Sequence, residues 1–261
     1  MASQQDNVGP LLAFDMDLFF YETLSANQID IAVDPSDPRS EVYTSANIGY
    51  VLDEVVSRVN QIAEDERFKG KSILPCVSSL KNFRKALYPE YKANRSVRKP
   101  TGYSHLVKAF VGEAPSTYAP YGLEADDGLG LTCAYRYDCV MVSWDKDMLT
   151  VPGTHYNPHT DELVTVDEET ADFNLRCQAL SGDSTDNYPG CKGIGVKRAP
   201  LHAESWSDMF AAFEKAGHDL AYAVTMVRLA RILRNGDYSR YLTMSVGKDI
   251  KAPLWESPVE A

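Results

Sequence analysis

The sequence predicts an α/β protein with a central, mostly parallel sheet flanked by helices and followed by a helical C-terminal part. Short apolar runs, typical of buried parallel strands, alternate with segments of helical period in the first part of the chain. Two of these runs end in pairs of aspartates. From Asp172 onward, beyond one turn-rich stretch, the apolar spacing is helical.

Three apolar runs predict buried strands: Leu11 to Phe20, Ser72 to Val77 and Cys139 to Trp144. The first carries two aspartates, and the third ends at Asp145, as expected of strands whose ends hold functional acids. Pro75 weakens the second prediction because proline cannot donate to a ladder. Residues 152–168 contain two prolines and a glycine, which predict a hairpin or loop excursion.

Apolar residues three and four apart predict helices at Asn47 to Glu64, Leu123 to Tyr135, Asp172 to Leu180, Trp206 to Ala216 and Asp219 to Asn235. Residues 81–103 contain Pro89, Pro100 and Gly102, which predict a short helix followed by a mobile loop. The tail from Lys248 is predicted to be loop-like.

Length and composition bound the class of protein. With 261 residues, 44% hydrophobic and 24% charged, the chain can build one core, or one domain with a helical annex. No apolar run approaches the length of a membrane span, and the N-terminus lacks an export pattern. The five cysteines include no CxxC pair. We therefore expect a reduced, cytoplasmic protein.

The charge distribution matters more than the net charge of −11, which alone argues against a nucleic-acid partner. Residues 81–99 hold seven basic side chains and a single acid, Glu90. This segment carries +6 and the rest of the chain −17. A concentrated basic strip on an acidic body suits a phosphate backbone, with carboxylates left over for metal.

Four acidic clusters carry the first chemical signal: Asp15 with Asp17, Glu124 with Asp126 and Asp127, Asp145 with Asp147, and Asp183 with Asp186. Acids at the carboxyl ends of neighbouring parallel strands converge in one crevice. There they would repel and protonate unless cations neutralised them, and oxygen ligands without His or Cys favour Mg²⁺ or Mn²⁺. Any one pair is more often a solvated surface group or a helix cap. Four clusters, two at strand ends, favour the metal interpretation.

The second signal is the basic sequence FRKALYPEYKANR at 83–95. Lys92 and Arg95 lie three apart with Tyr91 beside them, which predicts a place for a phosphate and for stacking on a base or sugar. A solvated basic helix explains this sequence equally well when it is taken alone.

The third signal is GDSTDNYPGCKGIGVKRA at 182–199. Its glycines Gly190, Gly193 and Gly195 permit a tight hairpin, and a helix is predicted to begin near Val196. Backbone N–H groups at such a helix start bind phosphate. A plain helix connector is the alternative, but the position directly after two acids favours phosphate binding.

In their order and spacing, YKANR, LEADD, SWDKD and GDSTDNYPGCKGIG resemble the flap endonuclease/5′→3′ exonuclease superfamily. Among its members, the exonucleases of T7-type bacteriophages are the most similar and also share a sequence like ARILRNGDY, at 230–238 here. The resemblance covers roughly residues 11–240. It implies a PIN-like/5′-nuclease fold with a helical arch over the active site and a C-terminal helix–three-turn–helix DNA-binding element.

The resemblance also implies an organisation, an activity and partners. Residues 1–180 would form the nuclease core, with the arch at about 81–103, and residues 181–261 the helix–three-turn–helix region and C-terminal helices, packed as one unit with the core. Two Mg²⁺ ions, replaceable by Mn²⁺, would support 5′→3′ hydrolysis of duplex or flapped DNA, and of RNA–DNA hybrids in many members. The hairpin would bind a monovalent cation, such as K⁺. We expect a monomer, located in the host cytoplasm if the chain is phage-encoded.

The resemblance assigns site residues one by one. The metal ligands would be Asp15, Glu124, Asp126, Asp127, Asp145, Asp147, Asp183 and Asp186. Lys92 and Arg95 would stabilise the scissile phosphate, and cleavage would depend on Asp126 and Asp147. The DNA contacts would be Arg84, Tyr91, Lys92, Arg95, Gly190, Lys192, Gly193, Gly195, Lys197 and Arg198.

One position departs from the family pattern. Family members carry an aspartate just upstream of the arch, where this chain has Ser79. The catalytic-metal shell is therefore predicted to be one charge short. A DNA-binding homologue with weakened or lost catalysis is one alternative, supported by Ser79 alone. A phosphatase or toxin-type RNase on a similar core is the other, although such domains usually lack the glycine-rich hairpin.

Overall fold

The computed structural model describes residues 9–37, 39–95, 99–118, 121–235 and 237. Its strands are β1 (Leu11–Asp15), β2 (Gln28–Ala32), β3 (Val42–Ala46), β4 (Ser72–Cys76), β5 (Cys139–Val142), β6 (Gly153–Asn157) and β7 (Glu162–Val166). Its α-helices are α1 (Met16–Ala26), α2 (Ile48–Ala63), α3 (Arg84–Leu87), α4 (Tyr103–Glu113), α5 (Ala125–Cys133), α6 (Glu168–Ser181), α7 (Trp206–Lys215) and α8 (Leu220–Ala230).

The central sheet has five strands in the order β4-β1-β5-β6-β7. All neighbours are parallel except β6 and β7, which form the antiparallel hairpin expected at 152–168. Strand β1 lies between β4 and β5, so Leu11 pairs with Ser72 on one side and with Cys139 on the other. The carboxyl ends of these three strands therefore meet at one edge, and the predicted α/β class is confirmed.

Alternate residues of β1 pack into different layers. Leu12 and Phe14 face the apolar core shared with α1, α2 and α4, whereas Leu11 and Ala13 face the core shared with α5. This period of two, with every β1 residue buried, is what a parallel strand covered by helices on both faces requires. A third apolar cluster joins α6, α7 and α8, and Tyr91 packs into it.

The first predicted strand is too long. Strand β1 ends at Asp15, and the rest of the apolar run belongs to α1, which buries Met16, Phe19 and Phe20. These positions follow the helical spacing of three and four rather than the alternation of a strand. Asp17 consequently lies in the first turn of a helix and not on the strand.

Two elements were not predicted. The β2–β3 hairpin forms a separate two-stranded sheet whose residues are mostly exposed, so no buried apolar face marks it in the sequence. Helix α4 begins at Tyr103 directly after Gly102, which has a left-handed φ of 87°. Among the described residues of the segment expected to form the arch, the short helix α3 spans four residues.

The expected helix near Val196 is wrong. The described chain has a four-residue 3₁₀ turn at Ala199–His202, preceded by hydrogen bonds from the N–H groups of Arg198 and Ala199 to the carbonyl of Gly195. The expected domain boundary at 180/181 falls at the end of α6 and stays a prediction, as does the helix–three-turn–helix element. The tail from Lys248 lies outside the described residues. In the described part of the chain, every helix is too short or too polar to span a bilayer.

Candidate active site

The sheet brings the first acids together as the strand pairing requires. Asp15 ends β1 and is 5% exposed, whereas Asp145 and Asp147 follow β5. Ser143 connects the two strand ends, because its hydroxyl donates to Asp15 Oδ2 at 3.3 Å and accepts the N–H of Asp145 at 3.1 Å. Asp145 Oδ1 in turn accepts the N–H of Asp147 at 2.9 Å.

Helix α5 presents the second cluster at its N-terminus. Glu124 is the N-cap residue and Asp126 lies in the first turn. Ser79 lies beside this helix start because its N–H donates to the carbonyl of Leu123 at 2.9 Å. The Ser79 hydroxyl accepts the N–H of Lys81 at 3.3 Å, which closes a turn.

Asp127 and Arg84 do not occupy the positions expected of them. Asp127 is fully buried, and its two carboxylate oxygens accept the guanidinium of Arg84 at 2.7 and 2.8 Å and the N–H groups of Leu233 and Glu124 at 3.1 Å. Arg84 is 2% exposed and also donates to the carbonyls of Leu229 and Arg231. This pair joins α3, α5 and the chain after α8. We therefore propose that its role is structural, whereas Asp127 was expected to be a metal ligand and Arg84 a DNA contact.

The loop after α6 holds the last two acids in a closed turn. Asp183 and Tyr188 exchange two backbone hydrogen bonds, and Asp183 Oδ1 accepts the N–H groups of Thr185 and Asp186. The loop closes at Gly182 and Gly190, where a Cβ on Gly190 would lie 2.3 Å from the Gly182 amide nitrogen. Both glycines also have positive φ, so larger residues are disfavoured there by the backbone conformation as well as by the lack of space.

The basic segment folds onto this loop. The Lys92 ammonium pairs with the carboxylate of Glu124 and lies 3.4 Å from Asp186 Oδ2. The guanidinium of Arg95 lies 2.8 Å from Asp186 Oδ1. Tyr91 lies within hydrogen-bond distance of both acids, 3.0 Å from Glu124 Oε2 and 2.7 Å from Asp186 Oδ2, although its single proton can serve only one at a time. Tyr91 is 2% exposed, so the expected stacking on DNA does not fit this conformation.

Electrostatics divides the acids into two groups. Those with internal cations are Glu124, Asp127 and Asp186. Burial alone would raise the pKa of Glu124, but the charges of Lys92 and Arg84 outweigh it and lower that pKa to about 2. These carboxylates are already neutralised by the chain itself.

The second group is buried or partly buried and forms no ion pair among the described residues. Burial, together with the charges of Asp17 and Asp145, raises the pKa of Asp15 to about 8. Burial, with Asp145 and Asp183 close by, raises the pKa of Asp147 to about 6. Burial and its acidic neighbours Asp127 and Glu124 also raise the pKa of Asp126 well above its ordinary range. A bound cation would hold these three groups ionised.

The residues fit a divalent cation in their chemistry. The donors are carboxylate oxygens, which Mg²⁺ and Mn²⁺ prefer. The hydroxyl of Tyr188 is buried without a hydrogen-bond partner among the described residues, with Asp183, Asp147 and Asp186 near enough to affect its pKa. Within the described ranges, however, no three acidic, histidine or cysteine side chains surround one point as ligands, and Glu124 and Asp186 are instead paired with Lys92.

The raised carboxyl pKa values predict the pH dependence of stability. Because the pKa values of Asp15 and Asp147 lie above the ordinary 3.8, the folded chain binds more protons than the unfolded chain between about pH 4 and pH 8. Stability without divalent cations should therefore fall as pH rises through this window. Thermal unfolding in EDTA at several pH values measures it, and Asp15→Asn should flatten the decline. A melting temperature that rises toward pH 8 would contradict the assignment.

The glycine-rich hairpin presents the remaining expected contacts to solvent. Lys192, Gly193, Gly195, Lys197 and Arg198 are exposed, whereas Gly190 is buried at the loop closure. Gly193 has a φ of 80°, and its carbonyl accepts a guanidinium hydrogen bond from Arg198 at 2.9 Å. The structure thus places two lysines on an open surface, while Arg198 braces the turn.

Three residues of the site were not in the predicted set. Ser143 connects Asp15 to Asp145, and Ser78 connects Asp17 to α5, because the Ser78 N–H donates to Asp17 Oδ1 at 3.2 Å and its hydroxyl accepts the N–H of Ala125 at 3.0 Å. Tyr188 adds its unpaired hydroxyl. The sequence offers one signal for them, which is their position within three residues of a predicted acid or of a strand end.

Comparison with known proteins gives relatives over most of the chain. The exodeoxyribonuclease of Enterobacteria phage T3 is 26% identical over 272 residues, covering 88% of this chain and 89% of that protein. The exonuclease of Escherichia phage T7 is also 26% identical over 272 residues, covering 88% and 90%. No family model matches the sequence.

Among solved structures, the T5 D15 protein co-crystallised with metal ions has a similar fold. Its TM-score is 0.61 at 16% identity, and the match covers 84% of this chain and 88% of that one. With these relatives and the ordered acidic motifs on a parallel α/β sheet, the chain resembles the flap endonuclease/5′→3′ exonuclease superfamily and is similar to the exonucleases of T7-type bacteriophages.

Proposed function

We propose that the protein is a divalent-metal-dependent 5′→3′ exodeoxyribonuclease. One observation carries the proposal: carboxylates with raised pKa values lie at the ends of β1 and β5 and the start of α5, next to the cationic side chains of Lys92 and Arg95. The names of the T3 and T7 relatives support it, and so does the co-crystallisation of the T5 D15 protein with metal ions.

Two Mg²⁺ ions, replaceable by Mn²⁺, are the proposed cofactors. Asp15, Asp126, Asp145, Asp147 and Asp183 would hold them, joined by Glu124 and Asp186 once these acids leave Lys92. When bound, the ions would supply a water of lowered pKa as nucleophile and neutralise charge on the phosphate.

The chain's own residues supply the rest of the mechanism. Lys92 and Arg95 would donate to the phosphate oxygens where negative charge develops. Ser143 holds Asp15 and Asp145 in fixed relation, so the carboxylates are oriented before the substrate arrives. The proposed products are short 5′ fragments, released in phage DNA replication, primer removal or host DNA degradation.

Duplex or flapped DNA is the proposed partner, and RNA–DNA hybrid is a second substrate to test. Residues 190–198 would bind the duplex at some distance from the scissile phosphate. The exposed Lys192 and Lys197 would contact DNA phosphates, and the hairpin carbonyls would bind a K⁺ ion. This region is our candidate for the helix–three-turn–helix element. The proposed state is a monomer.

The decisive experiment compares substrates with the metal present and removed. The protein is incubated with 5′-labelled duplex, gapped, flapped and hybrid substrates in Mg²⁺, and the products are sized, with EDTA as the control. Short 5′ products that depend on Mg²⁺ are the expected result. Tight binding of DNA structures without Mg²⁺-dependent cleavage would instead establish the DNA-binding alternative.

Lys92→Ala should reduce kcat by roughly 10²-fold or more while KM changes little, since its ammonium is proposed to act on charge that develops during cleavage. Steady-state kinetics at saturating Mg²⁺ separate the two parameters. A variant that loses affinity alone, with unchanged kcat, would rule out this role.

Ser79→Asp should lower the Mg²⁺ concentration for half-maximal cleavage, because it adds a carboxylate beside the N-terminus of α5, at the position where the family has one. Titration of both proteins with Mg²⁺ measures the effect, expected to be several-fold by analogy with other ligand-charge changes. An unchanged half-saturation point would mean that Ser79 does not limit metal binding.

A further inference from the structure

The chain's own donors contact both oxygens of the Glu124 carboxylate. One oxygen pairs with the Lys92 ammonium, and the other lies 3.1 Å from Arg84 and 3.0 Å from the Tyr91 hydroxyl. Asp186 is engaged in the same way by Arg95, Tyr91 and Lys92. The side chain of Lys92 is only 15% exposed and is the one shared cation of the two acids among the described residues.

The backbone around Lys92 is pinned to the acidic loop. Its N–H donates to the carbonyl of Asp186 at 2.8 Å, and the Asn94 side chain donates to the carbonyl of Ser184 at 2.7 Å. The side chain of Asn187 reaches back to the carbonyl of Glu90 at 2.7 Å. These contacts are confined to residues 90–94 and 184–187.

Lys92 also has a φ of 56°, a left-handed conformation that side chains with a Cβ rarely adopt. Such strain persists only while surrounding contacts hold it. Breaking the Lys92 ion pairs would therefore remove part of what holds the segment 90–95 in this conformation.

A lysine ammonium and a divalent cation compete for these carboxylates. The lone pairs of Glu124 and Asp186 that would coordinate a metal are those that Lys92 now uses, and an ammonium and a cation of charge +2 in contact repel strongly. By contrast, Asp15, Asp126 and Asp147 form no ion pair among the described residues, although Lys92 acts on Asp126 at longer range.

We propose that the Lys92 ammonium holds the place of a metal ion between Glu124 and Asp186, so that metal binding there displaces Lys92 and releases residues 90–95 toward the substrate phosphate. The inference deepens the proposed function and rests on it for the substrate. Binding of the metal at Glu124 and Asp186 and movement of Lys92 toward the phosphate would then occur together. A first cation binds at the acids that lack a partner, and a second binds in competition with Lys92.

Calcium binding to Lys92→Met tests the competition without cleavage. Calorimetric titration should give a weaker Ca²⁺ step that is about tenfold tighter in Lys92→Met than in wild type, a size typical of coupling between sites. Lys108→Met removes the same charge from an exposed position on α4 and should bind Ca²⁺ like wild type. Equal Ca²⁺ affinity in the Lys92 and Lys108 variants would overturn the proposal.

Amide hydrogen exchange distinguishes displacement of Lys92 from a purely electrostatic effect of the bound cation. It uses the wild-type protein, so it does not depend on whether a variant folds. Saturating Ca²⁺ should accelerate exchange in peptides covering residues 90–95, because the Lys92 N–H loses its bond to Asp186. Unchanged or slower exchange there would overturn the release. If the protein failed to cleave DNA, the proposed function would be wrong. The two measurements above would still test whether metal displaces Lys92, because neither depends on cleavage.

Discussion

Asp126→Ala and Asp147→Ala are each expected to reduce cleavage by about 10³-fold or more while leaving DNA affinity nearly unchanged. Both carboxyls are partly buried among acids, and the pKa of each is raised by burial and by neighbouring carboxylates. A group held at that cost, with no ion-pair partner among the described residues, is expected to bind metal. Loss of roughly 4 kcal/mol of transition-state stabilisation is a rate factor of this size.

The measurement is the rate of release of 5′-labelled products at saturating Mg²⁺, with DNA affinity determined separately in Ca²⁺. Asp53→Ala is the matched control, since Asp53 lies on the exposed face of α2 and should leave both quantities unchanged. Substantial residual cleavage by either site variant would refute the metal assignment for that residue.

Asp127→Ala is expected to lower the free energy of unfolding by about 3–5 kcal/mol, because it leaves the buried guanidinium of Arg84 without its main partner. For a chain of this size that corresponds to a fall in Tm of roughly 10 °C. Thermal unfolding in EDTA measures the change without interference from metal.

Asp138→Ala provides the comparison for an exposed ion pair. Asp138 lies 2.8 Å from Arg136, and both side chains are more than a quarter exposed, so its loss should cost no more than about 1 kcal/mol. If Asp127→Ala kept its Tm but lost Ca²⁺ binding, Asp127 would be a metal ligand after all.

The positions of the acids could be predicted from the sequence because they depend on a local pattern. An apolar run followed by aspartate marks the end of a buried strand, and β1 and β5 do lie side by side. The position of Asp15, Asp145 and Asp147 at one edge of the sheet could therefore be predicted without information on long-range contacts.

The roles of Arg84, Tyr91 and Asp127 could not be predicted in this way. Each was assigned by its charge or ring in a basic or acidic motif, but burial decides what the side chain can reach. Arg84 contacts the carbonyls of Leu229 and Arg231, which are far away in the chain, and this pairing leaves no local trace. The same holds for the exposed β2–β3 hairpin, which buries too little apolar surface to impose a pattern.

The central position of β1 has a consequence for when the acidic site can first assemble. Leu11 and its partner Cys139 are more than a hundred residues apart in the chain, so β1 is made well before β5. Parallel pairings over such separations are slow to form, because a long loop must close before any contact rewards it. A nascent chain therefore carries Asp15 long before the acids that follow β5 can join it, so the site assembles late in synthesis.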